Sequence, residues 1–91
     1  MAVRVKVRLF HDLRTSIGES EVEFQADTLS QIVEGLIRRN GSVKDVLYDA
    51  EGHLRAWTLF YVNNVVQNPP DMSRKLNDGD LVLLVPAAAG G

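Results

Sequence analysis

The sequence predicts an α+β fold, with a mixed sheet of four to five strands packed on one main helix. Three observations carry that expectation. Val3, Val5, Val7 and Leu9 alternate with Arg4, Lys6, Arg8 and Phe10, the two-residue period of a half-buried strand. Leu29, Ile32, Val33, Leu36 and Ile37 recur at the spacing of one helix face. Runs rich in aliphatic, β-branched and aromatic residues at Trp57–Val62 and Leu81–Val85 then follow that helix.

The elements follow in order. After the strand Val3–Phe10, the stretch His11–Gly18 reads as a short polar break. Val22 and Phe24 then alternate with Glu21, Glu23 and Gln25 in a second strand. A short break favours antiparallel pairing, which sets the acidic residues opposite Arg4, Lys6 and Arg8. Thr28-Leu29-Ser30-Gln31 matches a capping box and opens the helix Thr28–Asn40. Arg38 and Arg39 suit the negative end of its dipole, and Gly41 suits a left-handed cap. Ser42 is positioned to cap a shorter helix through Val43, Val46 and Leu47 that ends near Asp49–Gly52. The third strand, Trp57–Val62, turns through Asn63-Asn64 into Val65–Gln67 as a hairpin. Asn68-Pro69-Pro70-Asp71 reads as loop, because two prolines remove two ladder donors. Asn77-Asp78-Gly79-Asp80 is a second turn before the strand Leu81–Val85, which Pro86 is expected to stop. The order β-β-α-β-(β)-β over one long helix is a β-grasp arrangement, with residues 1–86 as the domain and 87–91 as a flexible tail.

Composition bounds the function. A chain of 91 residues has room for one hydrophobic core. It has no cysteine, which excludes disulfides, thiolate metal sites and a cysteine nucleophile. Ten basic against twelve acidic residues give a net charge of −2, which argues against a nucleic-acid binder. No apolar run approaches the length of a membrane span, and the charged N-terminus is unlike a signal peptide, so a cytoplasmic location is expected. His11 and His53 lack ligand or triad spacing. Gly35, Gly41 and Gly52 form no phosphate-cradling motif. No metal, catalytic residue or bound cofactor is expected on this chain.

The C-terminus is the exception. A strand leads through Pro86 into Ala87-Ala88-Ala89-Gly90-Gly91. Fully extended, five residues reach roughly 17 Å, and glycines without Cβ can thread a narrow channel. Such a tail delivers the α-carboxylate of Gly91, which can attack the α-phosphate of ATP to form an acyl-adenylate. The ATP site and Mg²⁺ would have to come from a partner enzyme.

With these residues in view, the sequence resembles the MoaD/ThiS family of ubiquitin-like sulfur carriers. The resemblance rests on Val3–Phe10, Leu13-Arg14, Gly18, Thr28-Leu29 and Val62-Asn63. Above all it rests on Leu76-Asn77-Asp78-Gly79-Asp80-Leu81-Val82 running through Pro86 to Gly90-Gly91. It implies a β-grasp fold and adenylation of Gly91 by a ubiquitin-activating-type enzyme. A sulfur donor system then forms a thiocarboxylate, which gives its sulfur to an acceptor such as a molybdopterin synthase large subunit or a cysteine synthase. The segment Leu47–Arg55 looks like that of the longer members. Ala87-Ala88-Ala89 departs from the Pro-Val-x or Ala-Val-Ala expected before the glycines, which leaves the acceptor open. The competing reading is a ubiquitin-like modifier conjugated to lysines through Gly91; the plainest is an interaction module alone.

Strand periodicity adds a surface. If Val82, Leu84, Phe60 and Val62 face the core, then Phe10, Trp57, Leu59, Tyr61, Leu81, Leu83 and Val85 face outward. Large apolar residues grouped on one outer face suggest a docking surface, unless segment 42–56 folds over it. The resemblance favours docking, since family members meet their enzymes through this face and the adjacent tail.

Overall fold

The computed structural model describes residues 3–55, 58–67 and 70–86. Strand β1 (Val3–Leu9) is followed by helix α1 (His11–Ile17), strand β2 (Glu21–Ala26), helix α2 (Leu29–Arg39) and helix α3 (Val43–Leu47). Strands β3 (Thr58–Val62), β4 (Val65–Gln67) and β5 (Leu81–Pro86) complete the order. The five strands form one mixed sheet, β2-β1-β5-β3-β4. Its central β1–β5 pair is parallel, and the β1–β2, β3–β4 and β3–β5 pairs are antiparallel. This is the β-grasp arrangement.

The expected alternation holds on β1, where Val5, Val7 and Leu9 are buried between exposed Arg4, Lys6 and Arg8. Across the β1–β2 pair Lys6 stands opposite Glu23 and Arg8 opposite Glu21. Helix α2 lays Leu29, Ile32, Val33 and Leu36 into the core, with Ile37 half-buried at its edge. Each of these four buried side chains contributes about 1.5–3 kcal/mol by leaving water. They share one core with Val5, Val7, Phe60, Val62, Val82 and Leu84.

The helix start is a capping box with a shifted partner. The Thr28 hydroxyl accepts the Gln31 N–H at 3.3 Å, while the Gln31 side chain accepts the N–H of Asp27 rather than that of Thr28. Mid-helix Gly35 is explained by packing. A Cβ there would lie 2.6 Å from Phe24 Cε1, and the Arg39 guanidinium covers the same ring at 5.0 Å from its centroid.

Four expectations need correction. The break His11–Gly18 contains α1, which buries Leu13 completely and packs on β5 and α3. Leu13 and Ile17 are one helical turn apart, and Gly18 closes the helix in the left-handed region at φ 86°. Gly41 is not the cap of α2. Asn40 ends that helix with an extended backbone, and its Nδ2–H donates to the Ser16 carbonyl at 2.6 Å. Ser42 does not cap α3 with its side chain; the Ser42 N–H and hydroxyl both donate to Asn40 Oδ1, at 3.0 and 2.9 Å. Pro86 is not just past β5 but inside it, its last described residue, buried and aligned with Thr58. An end position needs no ladder donor.

Candidate functional site

The sheet has a helix-covered face and an open one. Helix α3 packs with α1 and α2 and puts Val43 and Leu47 into the core, so it lies on the helix side. Tyr48 and Leu54 bridge to each other and pack on that same core. Segment 42–55 is thereby accounted for without covering the open face.

Strand register decides what the open face carries. On β3 and β5 every second residue is buried, and Leu59, Tyr61, Leu81, Leu83 and Val85 are the half-exposed ones between. The β3–β5 ladder sets Leu59 beside Val85 and Tyr61 beside Leu83. Phe10 follows the Leu9–Leu84 pair and is 36% exposed. Six of the seven apolar residues singled out in the sequence, all but Trp57, therefore border one another on one face. Val66 joins them, 46% exposed and aligned with Tyr61. Sequence reading missed it, although period two counted outward from the Asn63-Asn64 turn places it there. Trp57, Ala87, Ala88, Ala89, Gly90 and Gly91 lie outside the described residues.

The strand that leads to the tail is pinned at its start by two turns. Asn63 and Asn64 both have positive φ, 51° and 69°, as a tight hairpin turn requires. Asn63 then bonds to the next strand twice: its N–H donates to the Leu81 carbonyl at 2.8 Å, and its Oδ1 accepts the Leu81 N–H at 2.9 Å. Its Nδ2–H donates to Asp80 Oδ1 at 2.9 Å, while Asp80 Oδ2 accepts the Asn77 N–H at 2.9 Å. The Lys6 N–H donates to the Asp80 carbonyl at 3.0 Å. In front of them Gly79, at φ 86°, donates its N–H to the Arg4 carbonyl at 2.8 Å. The Asn-Asp-Gly-Asp turn thus locks the register of β5 against both β1 and β3.

Electrostatics elsewhere is that of a solvated surface. The His53 N–H, and after it the Glu51 N–H, hold the Asp49 carboxyl below the usual carboxylate range. Ser73 does the same for Asp71, chiefly through its hydroxyl. Burial, and then the charge of Glu34, push the Tyr48 phenol up. Among the described residues no group of three or more His, Asp or Glu gathers as a metal site. Among them, too, no helix is long and apolar enough to cross a membrane.

A profile of the ThiS family matches residues 7–91. No curated protein matches the sequence. A chain of the BexX/CysO complex of Amycolatopsis orientalis is 30% identical over 96% of this chain and 99% of its own, with a TM-score of 0.78. A structure described as molybdopterin converting factor subunit 1 of Pyrococcus furiosus is 25% identical over 93% and 98%, with a TM-score of 0.71. Small archaeal modifier protein 1 of Methanosarcina acetivorans shares the fold, at 21% identity over 100% and 99% with a TM-score of 0.82.

Proposed function

This chain belongs to the ThiS family, and on that premise we propose that it is a sulfur carrier activated at Gly91. A ubiquitin-activating-type partner enzyme, supplying the ATP site and Mg²⁺, adenylates the Gly91 carboxylate with loss of pyrophosphate. A sulfur nucleophile then displaces AMP, and the resulting thiocarboxylate passes its sulfur to a biosynthetic acceptor. The acceptor is a molybdopterin synthase large subunit, a cysteine synthase or an enzyme of similar sulfur chemistry. In this reading the chain is a protein co-substrate in the cytoplasm, or a synthase's small subunit, and binds no cofactor itself.

The register of β5 carries the proposal. Its inward residues Val82, Leu84 and Pro86 are buried, and its outward residues Leu81, Leu83 and Val85 build the apolar face. Gly91 follows five positions after its end in the sequence. A partner gripping that face therefore receives the tail at a fixed starting point. The likeness to a chain crystallised in the BexX/CysO complex supports a role exercised on a partner.

The test is ATP–pyrophosphate exchange with the purified adenylating enzyme of the source organism. Deleting Gly91, or adding one residue after it, should abolish exchange while leaving the urea midpoint unchanged; undiminished exchange by the truncated chain overturns the proposal. Mass spectrometry after incubation with the adenylating enzyme, ATP and a sulfur donor should show exchange of one oxygen for sulfur. Lysine-linked adducts without that exchange would assign the chain to the modifiers instead.

A further inference from the structure

The open face is banded across its strands. Glu21 and Glu23 stand on β2, Arg4, Lys6 and Arg8 on β1, and the apolar residues on β5, β3 and β4. Two of the three cations are already paired. Arg8 Nε lies 3.0 Å from Glu21 Oε1, and Arg4 Nε lies 3.6 Å from Glu23 Oε1. Lys6 is the remaining one: among the described residues it has no ion-pair partner within 4.0 Å. It stands level with Glu23 on one side and Leu81 on the other, where the ionic band meets the apolar patch.

Beside it is an open depression of about 420 Å³ lined by Arg4, Lys6, Glu23, Asp78 and Gly79. The depression's acids are engaged, Asp78 Oδ1 accepting the Arg4 N–H at 3.0 Å and Glu23 holding the Arg4 guanidinium. The Lys6 ammonium is the charge left for an incoming group.

We propose that Lys6 reads a carboxylate on the adenylating enzyme, set next to that enzyme's apolar contact. This rests on the docking reading above. A partner surface that covers Leu81 and Leu83 also approaches Lys6. If it presented only apolar atoms there, it would strip water from an unpaired ammonium, which is costly. A carboxylate at that border answers the charge, and because Lys6 is exposed its influence falls on association rate and salt dependence.

The experiment measures binding kinetics with the purified adenylating enzyme at several salt concentrations, for Lys6→Met, Lys6→Glu and Leu83→Asp. Lys6→Met removes the charge without adding a like charge opposite Glu23, and a urea midpoint near the parent's shows that it is folded. Lys6→Met should weaken binding a few-fold with a shallower salt dependence, and Lys6→Glu by about tenfold or more, chiefly through slower association. Both Lys6 variants binding like the parent, while Leu83→Asp binds weakly, overturns the assignment to Lys6 alone. Leu83→Asp binding as tightly as the parent overturns the docking reading beneath it.

Discussion

Replacing Asp80 with asparagine should cost nearly as much as replacing it with alanine, although asparagine has the same shape. Asp80 is 8% exposed, and both of its oxygens accept: Oδ1 from Asn63 Nδ2–H and Oδ2 from the Asn77 N–H, each at 2.9 Å. Neither donor is free to turn round. One is backbone, and the Asn63 amide is oriented by its own Oδ1 holding the Leu81 N–H at 2.9 Å. An asparagine at 80 has one oxygen and one NH₂, so one of the two positions sets donor against donor. Hydrogen bonds to a charged group contribute about 1.5–3 kcal/mol, and an orphaned buried donor costs about 1–3 kcal/mol. Allowing for water at the edge of the site, Asp80→Ala should lose about 3 kcal/mol and Asp80→Asn about 2 kcal/mol. At about 4–8 °C per kcal/mol for a domain of this size, the asparagine variant should melt about 8–16 °C below the parent. Urea and thermal unfolding near neutral pH measure both values. Because Asn63 has φ 51°, Asn63→Gly removes its side chain without straining the backbone. A double-mutant cycle of Asn63→Gly with Asp80→Ala should return a coupling of at least about 1 kcal/mol. An Asp80→Asn protein within about 0.5 kcal/mol of the parent would refute the donor-against-donor argument.

The two sheet faces should respond in opposite ways. Leu36→Ala beneath the sheet should lower stability by about 2–5 kcal/mol, whereas Leu83→Asp on the open face should cost about 1 kcal/mol or less and weaken partner binding several-fold; the reverse ranking in urea titrations would sink the face assignment. Gly35→Ala should destabilise despite alanine's helix propensity of about 1 kcal/mol, because its Cβ would meet Phe24 Cε1 at 2.6 Å. Trimming the ring with Phe24→Leu should then make the alanine tolerable, as a comparison of melting temperatures would reveal. Asp49, whose folded pKa is depressed by the His53 and Glu51 N–H groups, contributes stability above its unfolded pKa and loses it as pH falls through the folded one. The parent's urea midpoint should thus drop on acidification below about pH 4, and an Asp49→Asn variant should drop less; equal slopes would show that the loop contributes nothing.

Strand and helix periods made most of this fold legible, because each buried face is written into one period. Val3 to Leu9 and Leu29 to Ile37 needed no tertiary information. Helix α1 was less visible because it is only seven residues long and starts without a side-chain cap. Its apolar signal is the single pair Leu13 and Ile17, which a polar break can also contain. The end of α2 at Asn40 was legible, but its extended close in place of a left-handed Gly41 was not. That close is held by a contact with Ser16, 24 positions away. On the open face the six apolar positions followed from period two. The free charge at Lys6 did not, since the sequence supplies three cations and only side-chain geometry says which two find acids.

β5 joins the fold to the proposed activity because it belongs to both faces at once. Mutations to its inward residues act on stability, and mutations to its outward residues act on recognition. Its neighbours hold it on both sides, β1 in parallel and β3 antiparallel, and the Asn63–Asp80 contact fixes its first residue. A slip of one position would exchange Leu83 for Leu84 on the apolar face and displace Pro86 by the rise of one residue, about 3.3 Å. For a carrier that is a functional error as well as a structural one. In the proposed activity the partner measures the distance from the face it grips to the carboxylate it must reach, so a misregistered strand would deliver Gly91 short of, or beyond, the adenylation site. The Asn-Asp-Gly-Asp turn, far along the strand from the tail, sets that distance in this reading.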